Sequence, residues 1–520
     1  MGHVDYPPYP LVFLPSHEHV SGTGDDSVTI KDARNGQRHI QQLAKQRPSA
    51  QRLERVSAWG GASDSVSYVY RPSTTDELRR VFVTARKSGL TVGFQGGGNS
   101  YGDAALNGEN ILVDLRRMRR ILEWDVQDGI IQVEPGVTLE QLWQYIIEDG
   151  WWPPVATGTM NITMGGGAAM NVHGKNAWKA GPIGDHILAF DLLLPSGEII
   201  TCSRDENSDI FFAAIGGFGM LGCFVSLTLK MKRVYSGLLN VEAVASPNLR
   251  DMMAYFDCHL QDSDYLVGWI DAFASGENLG RGQLHRATYL GPDEDLEPLE
   301  TLKVSNQIIP STIIGIIPKF WLPFLMRPFY NNLGWRLVCW AKYLGSRFGD
   351  GLSGQSYQQP HAHFHFLLDA IPFRNAYGPG GIIQYQVFIP AARALSAIET
   401  LLRMGQAHGV PNYLSVLKRH RPDLFLMTHG LDGYSIAMDF HISSDNRARV
   451  RQLAREMDEV VLDAGGRFYF AKDSTLRPEV ARAYLGAETI DRFRLLKRRC
   501  DPDGLIETNL WRRLFGPAGD

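Results

Sequence analysis

Gly93-Phe94-Gln95-Gly96-Gly97-Gly98-Asn99-Ser100-Tyr101-Gly102-Asp103 overlaps and follows a short apolar run, residues 90–94, that reads as a strand. Consecutive glycines let the backbone approach a ligand closely and turn its N–H groups into an anion-binding nest. Ser100 adds a hydroxyl donor. The loop is not a G-x-G-x-x-G dinucleotide fingerprint: no helix opens on it and no acidic residue is placed for a ribose. Nor does it end in the Lys-Ser/Thr of a P-loop. Alone, such a loop reads equally well as a tight turn. A second small-residue cluster spans residues 157–176 through Gly165-Gly166-Gly167-Ala168-Ala169, and a third is Gly216-Gly217-Phe218-Gly219-Met220-Leu221-Gly222. Together they point to a long ligand, with phosphates in one place and a flat ring in another.

Outward from this loop the pattern is mixed helix and strand. Residues 74–89 read as a helix: Thr75 is placed to cap it, Leu78, Val81, Phe82 and Ala85 recur at helical spacing, and Gly89 ends it. Residues 111–115, 121–124 and 129–133 read as strands, with Asp128-Gly129 as a hairpin turn. Residues 138–148 read as a helix. Residues 187–194 and 199–202 form a second hairpin about Pro195-Ser196-Gly197-Glu198. The segment from 211 opens helical and passes through the third glycine cluster into a strand at 222–231. The texture changes near 236 and returns to a compact, basic, helical style near 467. The expected division is an arm over 1–50, a first domain over 51–235, a second over 236–466 and a returning segment over 467–520.

With 520 residues, 44% apolar and 21% charged, the chain has ample material for a core, which excludes a disordered or coiled-coil protein. The net charge of −4 and the absence of a basic stripe argue against a nucleic-acid partner. Five scattered cysteines without a C-x-x-C pair indicate neither a disulfide framework nor a zinc ribbon, and read as a reduced, cytoplasmic chain. No secretory leader and no apolar run long enough to span a bilayer is expected. One stretch is unusual. Residues 304–341 carry six isoleucines with Phe320, Trp321, Phe324, Phe329 and Trp335, while Pro310, Pro318, Pro323 and Pro328 break it into short pieces. It reads as an interfacial or lid element touching lipid in preference to a buried, irregular segment.

Four strings extend the glycine clusters: Ser100-Tyr101-Gly102-Asp103, His173-Gly174-Lys175-Asn176, Tyr377-Gly378-Pro379-Gly380-Gly381-Ile382-Ile383-Gln384-Tyr385-Gln386 and Ala471-Lys472-Asp473-Ser474. With them the chain resembles the vanillyl-alcohol-oxidase-type (PCMH-type) FAD-binding flavoproteins, and within these the decaprenylphosphoryl-β-D-ribose 2-oxidase family. The resemblance implies an α+β fold: a two-part FAD-binding domain with an inserted substrate domain built on an antiparallel sheet. It implies that Gly96, Gly97, Gly98, Asn99 and Ser100 hold the pyrophosphate. Gly158, Thr159, Thr163, Gly166, Asn171, His173, Gly174, Asn176 and Tyr469 would line the flavin. Asn99 stands where covalent relatives often carry His, which implies non-covalent FAD. Lys472, His173 and Tyr101 become the catalytic candidates, and Lys175, Gln384, Gln386, Lys418 and His365 the substrate candidates.

Two departures stand out. The family's active-site cysteine falls at Ala437, and a family tyrosine at His365. In His361-Ala362-His363-Phe364-His365, alternation would put three imidazoles on one face of a strand. A polar strand face lining the substrate cleft is preferred over a metal site. The implied activity is FAD-dependent oxidation of a secondary sugar hydroxyl on a lipid-linked substrate, with a separate NAD-dependent reductase completing an epimerisation and peripheral membrane contact. An alditol or aldonolactone oxidase, a sterol Δ24-reductase-like flavoprotein and a non-catalytic flavin- or lipid-binding protein remain open.

Overall fold

A computed structural model of the chain describes residues 47–313, 317–349, 356–371, 377 and 380–516. The arm expected over residues 1–50 therefore lies almost wholly outside the described residues.

Three sheets order the elements. In the first, Leu53–Ser57, Asp64–Tyr70, Ile111–Asp114 and Val92–Gln95 lie side by side in that order, with parallel pairing after the first two. Helix Thr75–Ser88 buries Leu78, Val81, Phe82 and Ala85 in one cluster with Val92, Ile111 and Val113. Thr74, and not Thr75, caps it: the Thr74 hydroxyl accepts from the Glu77 N–H at 3.2 Å. Gly89 closes it at φ 64°.

The second sheet runs Ile121–Asp125, Ile130–Val133, Cys223–Lys230, Ile187–Leu193, Ile199–Ser203, antiparallel throughout. Both expected hairpins are present. Helix Leu139–Ile146 opens with a reciprocal capping box between Thr138 and Gln141.

The third sheet has eight strands in the order Ser356–Pro360, Leu238–Ser246, Gly282–Tyr289, Tyr265–Ile270, Leu414–His420, Gly433–His441, Ile382–Pro390 and Arg467–Phe468. Every neighbouring pair is antiparallel, and the whole is the expected α+β architecture. The period of two sorts its residues. Ile383, Tyr385, Val387 and Ile389 share a core with Ile398, Leu401, Leu453 and Met457 of helices Ala391–Ala407 and Arg447–Asp463. The alternate residues Gln384 and Gln386 point to the other face. A cross-strand row there runs Gln283, Trp269, Val416, Ala437, Gln386.

The histidine string is not a strand. His361–His365 forms one short helix behind Pro360. The i,i+4 pair His361 and His365 stacks on Trp152, with ring centroids 4.9 and 5.9 Å away. His363 turns aside to the Ile308 carbonyl at 2.9 Å. The three imidazoles share no face.

Among the described residues the apolar insert is built of short helices and strand pieces and the helix Asn332–Leu344, which turns Trp335, Cys339 and Tyr343 inward. Phe320, Phe324 and Leu333 are 65%, 64% and 80% exposed, and Ile308, Trp321, Leu325, Leu337 and Trp340 are exposed beside them in sequence. Among the described residues no helix is long and apolar enough to cross a membrane.

Candidate active site

The glycine loops and the polar face of the eight-stranded sheet enclose a cavity of about 430 Å³. On the loop side, absence of side chains decides the packing. A Cβ on Gly96 would collide with the Thr163 hydroxyl, and one on Gly97 with the Asn161 carbonyl. Asn99 donates to that same carbonyl at 2.9 Å, tying the first loop to the second. Gly98 sits at φ 68°. The backbone N–H groups of Gly97, Gly98, Asn99 and Ser100 donate to no acceptor among the described residues. They form an open nest of the kind that receives phosphate oxygens. Thr163 caps the short helix Met164–Ala169 by accepting from the Gly166 N–H at 3.3 Å. Phe218 and Gly219 of the third cluster complete this wall.

Two strings far apart in sequence meet at the catalytic candidates. The Tyr101 N–H donates to the Ala471 carbonyl at 2.9 Å, and a Cβ on Gly102 would collide with the Asp473 carbonyl. Arg513 clasps both strings, reaching Asp103 at 2.7 Å and Asp473 at 2.8 Å. This leaves the Lys472 Nζ 3.8 Å above the Tyr101 ring, whose centroid is 4.5 Å from that of Trp59. Burial lowers the Lys472 pKa to about 7, against the pull of the Asp439 carboxylate. Asp439 is itself raised by burial and accepts from the Gln384 amide. The Tyr101 phenol is held well above its ordinary value, first by burial and then by Asp439.

His173 is buried among Phe388, His420, His429 and Tyr469. Burial, then the nearby Lys418, hold it well below the usual imidazole range, so it is neutral. The Gln386 amide donates to its Nε2 at 3.0 Å, which puts the proton on Nδ1. Lys175 donates to the carbonyls of Phe364 and, at 3.2 Å, His365. Burial takes Lys175 down to about 7 and Lys418 to about 8.

Gly96 to Tyr101, Gly158, Thr159, Thr163, Gly166, His173, Lys175, His365, Gln384, Gln386, Lys418, Tyr469 and Lys472 all line the one cavity, as does Ala437. Asn171, Gly174 and Asn176 stand behind its wall. The Asn171 carbonyl oxygen accepts from the Gly184 N–H at 3.0 Å, and the Asn176 amide donates to Pro154 at 2.8 Å. A Cβ on Gly174 would press on Asn176 and Ala156. His173 Nδ1, Asn171 Nδ2 and Asn176 Oδ1 are buried without partners, as are both ring nitrogens of His365.

Sequence reasoning missed Trp59, Trp269, His285, Lys342 and Asp369. Trp269 and His285 alternate with buried strand residues and carry no motif. Lys342 lies one residue beyond the boundary drawn for the insert. Asp369 is a lone acid whose carboxylate accepts from the Thr159 hydroxyl at 3.0 Å, the Met160 N–H at 2.7 Å and the Asn161 amide at 2.9 Å. Its own carbonyl accepts from Lys319 at 3.0 Å. It thus joins the second glycine loop to the insert through Lys319, which is turned inward.

The open nest, the closely packed strips and the unpartnered buried polar atoms fit a phosphate-bearing, ring-bearing cofactor. Residues 66–203 match the family described as FAD binding domain. The chain is an FAD-dependent oxidoreductase. It is 28% identical over 475 residues to decaprenylphosphoryl-beta-D-ribose oxidase of Mycolicibacterium smegmatis, covering 89% of this chain and 97% of that one. It is also similar to L-gulonolactone oxidase of Mus musculus, at 27% over 196 residues, 38% of this chain and 43% of that one. Against D-arabinono-1,4-lactone oxidase of Yarrowia lipolytica it is 26% identical over 193 residues, 36% of each. The resemblance read from the four strings is thereby borne out over most of the chain.

Proposed function

We propose that this protein oxidises a secondary hydroxyl of a sugar carried on a lipid phosphate to the ketone, the 2-oxidase step of a pentose epimerisation. The observation that carries the reading is the convergence of Lys472, Tyr101 and Gln384 on a cavity that also holds the FAD loops, with Asp439 behind them accepting from the Gln384 amide. The nest at Gly97 to Ser100 and the strip from Gly158 to Gly166 would hold FAD without a covalent bond, and that group would supply the acceptor for the hydride of the carbinol carbon. The hydroxyl proton goes to the neutral amine of Lys472, and the carbon–oxygen double bond forms as both leave. Tyr101 and Asp439 fix the amine's position. The neutral His173 and the Gln384 and Gln386 amides orient the sugar and leave little room for water.

The division into an FAD-binding part (51–235 with 467–520) and a substrate part (236–466) belongs to this reading. Hydrogen bonds of Val92 with Leu505 and Glu507, which seat the C-terminal segment beside the first sheet, support it. The exposed apolar ridge from Ile308 to Trp340, with Arg327 and Arg336 also exposed, supports a peripheral foothold on an anionic membrane. A separate NAD-dependent reductase would return the ketone to the inverted alcohol.

The test is anaerobic reduction of the bound flavin by polyprenyl-phosphoryl pentoses against free alditols and aldonolactones. Bleaching by the lipid-linked sugars is the expected outcome. Bleaching only by free alditols or lactones would replace the substrate class, and no bleaching by any of them would overturn the oxidase.

A further inference from the structure

The cavity wall is lopsided in charge. Among the described residues it carries four lysines, Lys175, Lys342, Lys418 and Lys472, and no aspartate or glutamate. Lys472 is occupied by Tyr101 and by Asp439 behind it. The other three have no such counter-charge. Lys175 reaches backbone carbonyls and the Phe364 ring, and no carboxylate. The Lys418 side chain makes no hydrogen bond or ion pair with the described residues, and no carboxylate acts on Lys418 or Lys342. Lys342 comes from the insert helix Asn332–Leu344 and sets its Nζ 4.0 Å over the ring of Trp269. The sheet register brings the rest alongside. Val267 pairs with His285, and Lys418 lies one position beyond the Gly268–Leu417 pair, on the same face as Trp269 and Val416. Cations gathered on one wall without a counter-charge repel one another until an anion completes them. The glycine nest accounts for the cofactor's pyrophosphate, which leaves this lobe to the substrate.

We propose that Lys342, with Lys418 and Lys175, forms a subsite for a phosphate-ester group of the substrate, and that Lys342 is its specificity-determining residue. The inference rests on the oxidase reading of the same cavity and deepens it. Leu333, Leu337 and Trp340 are exposed on the helix that delivers Lys342. The ligand class that satisfies both features is an amphiphile with a phosphate head and an apolar tail. Burial depresses Lys418 to about 8, so an arriving phosphate also draws a proton onto it, while Lys342 stands exposed at the rim.

The holoenzyme is titrated by calorimetry with geranyl phosphate, with geraniol and with inorganic phosphate, as wild type, Lys342→Met and Lys342→Arg. Geranyl phosphate is expected to bind the wild type, to weaken ~10-fold or more in Lys342→Met, the scale of one lost charge-assisted hydrogen bond, and to recover in Lys342→Arg. Geraniol should not distinguish the three proteins, FAD content should be equal, and with an oxidisable lipid-phosphoryl sugar KM should rise while the limiting rate of flavin reduction holds. No binding of geranyl phosphate, or equal binding by wild type and Lys342→Met, overturns the subsite. Inorganic phosphate binding as tightly as geranyl phosphate overturns the amphiphile. Lys342-dependent binding in a protein whose flavin no sugar reduces leaves the subsite standing and removes the oxidase. Reduction by a lipid-phosphoryl sugar with KM and affinity unchanged in Lys342→Met does the reverse.

Discussion

Replacing Lys472 by methionine keeps the side chain's length and removes its nitrogen. The loss has two parts. The ammonium form sits 3.8 Å over the Tyr101 ring, a shielded contact of about 1–2 kcal/mol. In the proposed reaction the amine form takes the substrate proton, a role worth ~10²–10⁴-fold in rate. The residues proposed to hold FAD are others, so flavin content should hold while anaerobic flavin reduction, followed by stopped flow, falls at least ~100-fold. The pH profile separates the two parts. Burial holds Lys472 to about 7, so the reactive amine accumulates as pH rises through that value and wild-type reduction should accelerate across it. Lys472→Met should be slow and lack this inflection. Lys472→Arg keeps the cation over Tyr101 but does not shed its proton, so it should be as slow as the methionine variant. Near wild-type reduction by Lys472→Arg would refute the base; near wild-type reduction by Lys472→Met would refute any role for the residue.

Asp369→Ala leaves the Met160 N–H and two side-chain donors of the second glycine loop without their acceptor, at about 1–3 kcal/mol each where shielded from water; FAD should dissociate more readily, read from the rise in free-flavin fluorescence on dilution. Gly102→Ala forces a methyl into the Asp473 carbonyl, and a fall in thermal midpoint is expected from overpacking of about 1–3 kcal/mol; an unchanged midpoint would show that the two strings are not pressed together. Three half-buried cavity lysines, Lys175, Lys418 and Lys472, are depressed to about 7 or 8 from 10.5, so between those values the unfolded chain binds more protons than the folded one. Stability of the substrate-free holoenzyme should therefore rise with pH across that window, while below about pH 7 the penalty for charging them is complete; melting curves that fall from neutrality to about pH 9 would contradict this. Phe320→Glu with Phe324→Glu should release the protein from anionic vesicles in a flotation assay with FAD still bound; equal flotation would remove the ridge as a foothold.

What the sequence made legible followed from how much each position constrains the chain. The glycine clusters were readable because only glycine tolerates the approach of the Thr163 hydroxyl at Gly96 and the left-handed φ of Gly98. The capped helix at 75–88 and the two hairpins were readable because local spacing and turn residues agree. The histidine string misled because alternation of period two and an i,i+4 pair coincide over five residues, and the choice fell to Trp152, a ring over two hundred residues away that two imidazoles cover. Asp369 and Lys342 were hidden for a related reason: a single charged residue in an otherwise apolar stretch carries no periodic signal, and its role exists only once the second glycine loop or Trp269 stands opposite.

The clasp made by Arg513 also bears on how the protein is made. The residue that joins Asp103 to Asp473 comes 410 positions after the first of them, and Lys472 cannot settle over Tyr101 until that stretch has emerged. Domains fold from the N-terminus as they are synthesised. The glycine loops can therefore form early, while the amine proposed as proton acceptor is made only much later. A nascent or prematurely ended chain can shape the phosphate nest without acquiring the amine, so flavin would be gathered before it can be reduced, and chemistry would begin only once the last helix has docked.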